Sequence, residues 1–164
     1  MGHHMTAVVT THAFNSDVAE HFDLVAVPLA PRLTLFHIDH YYSAYWQSVR
    51  GCTTFLDIPP GFPSVFPHQA VIVQLVSDLT GHREPTFGLI QTDYFGGVGH
   101  QWACAFTGSR RDSAANATIN DVLRMLGVVH RDGLDEFDTV GLGNHRHSPD
   151  SLAKYVDLCE QRGV

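Results

Sequence analysis

His37, Asp39 and His40 stand close together, and His145 and His147 add two more imidazoles late in the chain. Imidazole and carboxylate groups are the ligands that zinc and iron take. These five residues could therefore build the site of a metal-dependent hydrolase, with His37 and Asp39 on one face if a strand persists through both. Their spacing matches no established metal motif, and 12 histidines in one chain make accidental pairs common. Nucleophilic chemistry has less to stand on. Cys52, Cys104 and many serines are present, but no GxSxG elbow or cysteine-protease signature accompanies them. Cys104, in mid-strand, reads as a small core residue. No residue is assigned as catalytic.

Two other groups are polar without being obviously catalytic. Asp93, Tyr94, His100 and Gln101 gather around Gly96, Gly97 and Gly99. Such groups must stay wet or find partners, because burying them unpaired is costly. The glycines are followed by a second strand and not by a helix, which counts against a phosphate cradle. The second group is the acidic run Asp132, Asp135, Glu136 and Asp138. It reads as a solvated face or as a surface for a basic partner, since complementary charge speeds and directs encounter.

The element that must position the first group is Pro85–Thr107, two runs of aromatic and β-branched residues joined by the glycine cluster. With residues 96–99 as a four-residue loop, Phe95 faces His100, Tyr94 faces Gln101 and Asp93 faces Trp102. One sheet face then carries Phe87, Leu89, Trp102, Cys104 and Phe106, and ends in Gln91, Asp93 and His100. The other carries Ile90, Ala103 and Ala105, with Tyr94 and Gln101 near the turn. Bulky groups on one face and alanines on the other imply that both faces are covered, with helices close over the alanines. Trp102 is expected to be a large buried aromatic.

Around this hairpin the pattern implies an α+β fold: an antiparallel sheet centred on 86–107 with three to four packed helices. Strands are expected in 22–29, where Pro28 restricts pairing to an edge, and in 33–38. Helices are expected near 40–50, 68–80, 115–126 and 149–162. Asp39 can cap the first, and Thr118 with Asp121 resembles a capping box. Ser148–Pro149 can start the last. Residues 52–67 contain four prolines and read as loop, as does the polar stretch 127–147. Residues 6–16 read as mobile or as a short edge strand. Residues 1–5, MGHHM, read as a tag remnant, leaving a single domain over 6–164.

The charged fraction is 16% and the formal net charge -7. An acidic balance argues against a nonspecific grip on nucleic acid or anionic membrane, and no apolar run is long enough for a span. Three cysteines form no disulfide framework, which points to a reducing cytoplasm.

The segment Thr92–Gln101 followed by Trp102–Ala103 resembles small bacterial proteins with a TDYFGGxGxQ-type hairpin. Ile119–Gly127, Asp135–Asp138 and Gly141–Gly143 extend the likeness, so that it covers about the C-terminal half. The resemblance implies an immunity-type partner of a bacterial toxin and supplies no catalytic residues. The leading expectation is therefore a cytoplasmic binding protein with a protein partner, such as a basic toxin domain, and no cofactor. Its binding surface would draw on Asp93, Tyr94, Gly96, Gly97, Gly99, His100, Gln101, Asp135, Glu136 and Asp138. The alternatives are the metal hydrolase and a small-ligand sensor built on Asp93, His100 and Gln101.

Overall fold

A computed structural model describes residues 2–29 and 32–164. Six antiparallel strands form one sheet in the order β2-β3-β1-β4-β5-β6. They are β1 (His3–Thr10), β2 (Ala26–Leu29), β3 (Leu33–His37), β4 (Thr86–Phe95), β5 (Val98–Thr107) and β6 (Arg110–Arg111). The helices are α1 (Ser16–His21), α2 (His40–Val49), α3 (Val71–Thr80), α4 (Ile119–Met125), α5 (Glu136–Thr139) and α6 (Lys154–Arg162). The fold is α+β, and the long hairpin lies within the sheet as its pattern implies.

The sheet is covered on both faces. On one, Val8, Phe36, Phe87, Leu89, Cys104 and Phe106 pack under α1, α2, α3 and α6. On the other, Ala7, Val9, Leu35, Ile90, Ala103 and Ala105 lie under α4 and the segment that follows it. These are called the α2 face and the α4 face below. Gly88 shows how close α4 comes: a Cβ there would meet Val122 at 2.7 Å and Val9 at 2.9 Å. Burial holds the Cys104 thiol up at about 12, so it is a protonated core group.

Capping follows the sequence. Asp39 accepts the Tyr42 amide hydrogen at the start of α2. Thr118 and Asp121 form a reciprocal capping box on α4. Ser148–Pro149 falls short of starting α6, because a 3-10 turn at Asp150–Leu152 intervenes.

Three expectations are corrected. The turn is the two residues Gly96 and Gly97, both at positive φ, so Phe95 pairs with Val98, Asp93 with His100 and Gln91 with Trp102. Two adjacent positive-φ glycines give the turn whose twist matches the strands, which makes the tighter loop the favoured one. The register moves by two positions, and side chains alternate with period two, so every residue keeps its expected face. Trp102 is only half-buried, because α2 and α6 stop short of the turn end of the sheet. Finally, residues 3–5 and 6–10 are neither a detached tag nor an edge. They form β1, paired with β4 over residues 3–9 and with β3 over 7–10, while the His4 amide donates to the Arg146 carbonyl. Met5 is 1% exposed, and the His3 ring bonds Thr92 Oγ1 at 2.7 Å and the Leu142 carbonyl at 3.0 Å. A short apolar run flanked by histidines carries no sequence mark of central placement.

Candidate functional site

The turn end of the hairpin projects beyond the helices, and the strand alternation sorts its polar residues between the two faces. On the α4 face, Tyr94, Gly97 and Gln101 meet Asn120, Asp135, Phe137, Asp138, His3 and Arg146 around a cleft of about 410 Å³. Two groups that lie far apart in sequence, the turn residues and the acidic run, therefore converge here.

The cleft is held open by hydrogen bonds among its own side chains. Gln101 donates to the Tyr94 hydroxyl at 3.0 Å and accepts from the Ile119 amide at 2.9 Å, fixing the start of α4 against β5. Asn120 donates to Asp135 Oδ2 at 3.1 Å and accepts from the Phe137 amide at 2.8 Å. Asp135 also caps α5 through Oδ1. The His3 ring lies 5.6 Å from Phe137. Asp135 and Asp138 remain exposed, and neither forms an ion pair among the described residues.

The other expected binding residues lie elsewhere. Asp93 and His100 share the α2 face. Asp93 stands 3.5 Å from His4 in an exposed pair, and the His100 ring lies 5.7 Å from Trp102. Gly96 and Gly97 form the turn, while Gly99 is a close backbone approach: a Cβ there would run into the Asp93 carbonyl oxygen. Glu136 is not part of an acidic surface. It is 5% exposed and holds Arg124 at 2.9 Å, because its place in α5 turns it under α4. The hairpin tip ends in a cross-strand pair, Phe95 and Val98, exposed by 79% and 78%.

The five metal candidates are not brought together. The strand ends at His37, so His37 and Asp39 do not share a face through it. His37 lies near His145, its Nδ1 buried without a partner, and burial with that neighbour pushes its pKa down to about 4. Asp39 caps α2, the His40 ring lies tilted against Tyr41, and His147 pairs through its backbone with His4. Among the described residues no three His, Cys, Asp or Glu side chains are placed to hold a metal ion.

Sequence reasoning missed His3, Asn120, Phe137 and Arg146. His3 falls in the run that reads as a tag remnant. Asn120 and Phe137 sit beside residues that the sequence does single out, Asp121 and Asp138, but their pairing depends on the loop between α4 and α5. No protein-family model, curated protein or solved structure matches the chain. No helix of the described residues is long and apolar enough to cross a membrane.

Proposed function

We propose that this is a binding protein that captures a basic protein partner at the turn end of its hairpin, in the manner of an immunity protein occluding a toxin domain in the cytoplasm. The observation that supports it is the α4-face cleft, where Asp135 and Asp138 stand exposed and in no ion pair among the described residues. Their fixed, preorganised setting lowers the ordering cost of binding. Net negative charge adds steering toward a basic partner. At the hairpin tip, on the α2 face, the exposed Phe95 and Val98 add an apolar contact for a partner that grips the turn from both sides.

The test is a binding titration against the toxin-like product of an adjacent gene in the source genome, with wild type, Phe95→Ala and the double variant Asp135→Asn/Asp138→Asn. Micromolar or tighter binding by wild type, weakened at least tenfold in both variants at unchanged melting temperature, is expected. No binding, or binding indifferent to all three substitutions, sinks the reading.

A further inference from the structure

The α4-face cleft carries charge of both signs. Asp135 and Asp138 line it, and so does Arg146, half-buried and anchored where its carbonyl accepts the His4 amide at 2.7 Å. None of the three forms an ion pair among the described residues, so Arg146 shares the cavity with two carboxylates and pairs with neither.

The neutral polar groups of the cleft are already bonded to one another or to backbone. Both His3 nitrogens have partners, Thr92 Oγ1 and the Leu142 carbonyl. The Gln101 and Asn120 side-chain oxygens each accept a backbone amide, and each side-chain nitrogen donates within the network. Asp135 caps α5 with one oxygen and accepts from Asn120 with the other. What remains for a ligand is the Arg146 guanidinium, with five donors, and the Asp138 carboxylate, backed by the charge of Asp135. Phe137, half-buried and next to Asp138 in α5, adds a ring against which a flat cation can stack. The volume of about 410 Å³ lies in the range of small-ligand sites.

A cation and an anion in one cavity, too far apart to pair, suit a ligand that carries both charges. A simple anion would meet the two carboxylates, and a purely basic group would leave Arg146 unanswered. We infer that the cleft binds an arginine with a free carboxylate, its guanidinium on Asp138 and its carboxylate on Arg146. Arginine fits better than lysine, because its planar group gives a carboxylate two parallel donors and stacks on an aromatic face. The arginine can be the free amino acid or the C-terminal residue of a chain. The inference rests on the partner reading in taking this cleft as the binding site, and it names the group that enters.

The experiment titrates the protein with Nα-acetyl-L-arginine, following backbone amide resonances. Nα-acetyl-L-argininamide, which lacks the carboxylate, and Nα-acetyl-L-norleucine, which lacks the cation, serve as controls at matched ionic strength. Saturable shifts at residues 97, 120 and 137 are expected with a millimolar Kd, about tenfold tighter than for either control. Arg146→Met should abolish the preference over the amide and keep the preference over norleucine. Asp138→Asn should do the reverse. Each ratio compares two ligands on one variant, so a change in stability does not imitate the result. Tighter binding of a peptide ending in Gly-Ser-Arg than of L-arginine would identify a chain end as the source, and the opposite order the free amino acid. Equal binding of the argininamide by wild type, a ratio unaltered in Arg146→Met, or no saturable shift at all would overturn the inference. The titration against the toxin-like protein can fail while these ratios hold, and can succeed while they are absent, so the two readings fall separately.

Discussion

The two faces of the sheet treat the same problem oppositely at the turn end. On the α4 face the side-chain amides of Gln101 and Asn120 each link two elements, and the polar groups close on one another. On the α2 face Gln91 keeps a buried oxygen unbonded, and Asp93 and Phe95 hang in solvent. The difference follows from what lies overhead. Residues 117–146 fold back over the α4 face as far as the turn, whereas α2 and α6 leave the α2 face uncovered there. A closed network specifies shape, and an open one leaves side chains on which the fold does not depend. Substitutions should therefore cost stability on the first face and little or none on the second.

The largest loss is expected at Gly99→Ala, where the added Cβ runs into the Asp93 carbonyl and only backbone movement relieves it. About 3 kcal/mol is expected from overpacking against backbone. A urea unfolding loss under about 1 kcal/mol would mean that the hairpin shifts freely. Next comes Arg124→Met, which strands the buried Glu136 carboxylate. Breaking a wholly buried pair costs about 3–5 kcal/mol. Arg124 is half exposed, so about 2 kcal/mol is expected, measured in the same way.

Acid should act on the α4 face too. Burial, then His145, lowers the folded pKa of His37 to about 4. The native state therefore favours the neutral ring, and the unfolded chain binds the proton first, near pH ~6.5. Stability is intact above that value, falls as pH drops below it, and goes on falling to about pH 4. His12, lowered by burial and by His82, adds in the same direction. Urea midpoints that stay level from about pH 7 to about pH 4 would contradict the burial of His37.

Gln101→Ala should follow at about 1.5 kcal/mol, since it removes the acceptor of the Ile119 amide. Its α2-face counterparts should sharpen the contrast. Asp93→Ala and Phe95→Ala should each change stability by less than about 0.5 kcal/mol, as exposed positions do. Equal losses at Gln101 and Asp93 would erase the distinction between the faces.

Most of the sheet's interior was legible because period-two alternation survives an error in loop length. The register differs from the expected one by two positions, and still Leu89, Cys104 and Phe106 lie on the expected face. Helices with caps, such as Thr118–Asp121, were legible for the same local reason. The central place of β1 was not legible, because nothing in HHMTAVVT distinguishes a strand with two neighbours from one with a single neighbour. The burial of Glu136 was hidden as well: a carboxylate in an acidic run looks solvated until the partner, Arg124, is located in three dimensions. Half of the candidate cleft, Tyr94 with Gln101 and Asp135 with Asp138, could be named from sequence. That they face one another could not.

The position of β1 also bears on how the molecule assembles. β1 can pair with β3 once residues through His37 exist, but its other edge waits for β4, and the His3–Thr92 contact spans 89 residues. Closing a loop of that length comes late and slows folding. Until the 86–107 hairpin docks, a partial sheet of β2, β3 and β1 presents the apolar strand Met5–Val9 with an unpaired edge, the kind of surface that recruits other chains. The docking of that hairpin on β1 is then the step that turns a sticky intermediate into a sheet with no exposed centre, and the step at which crowding by copies of itself would divert the chain into aggregates.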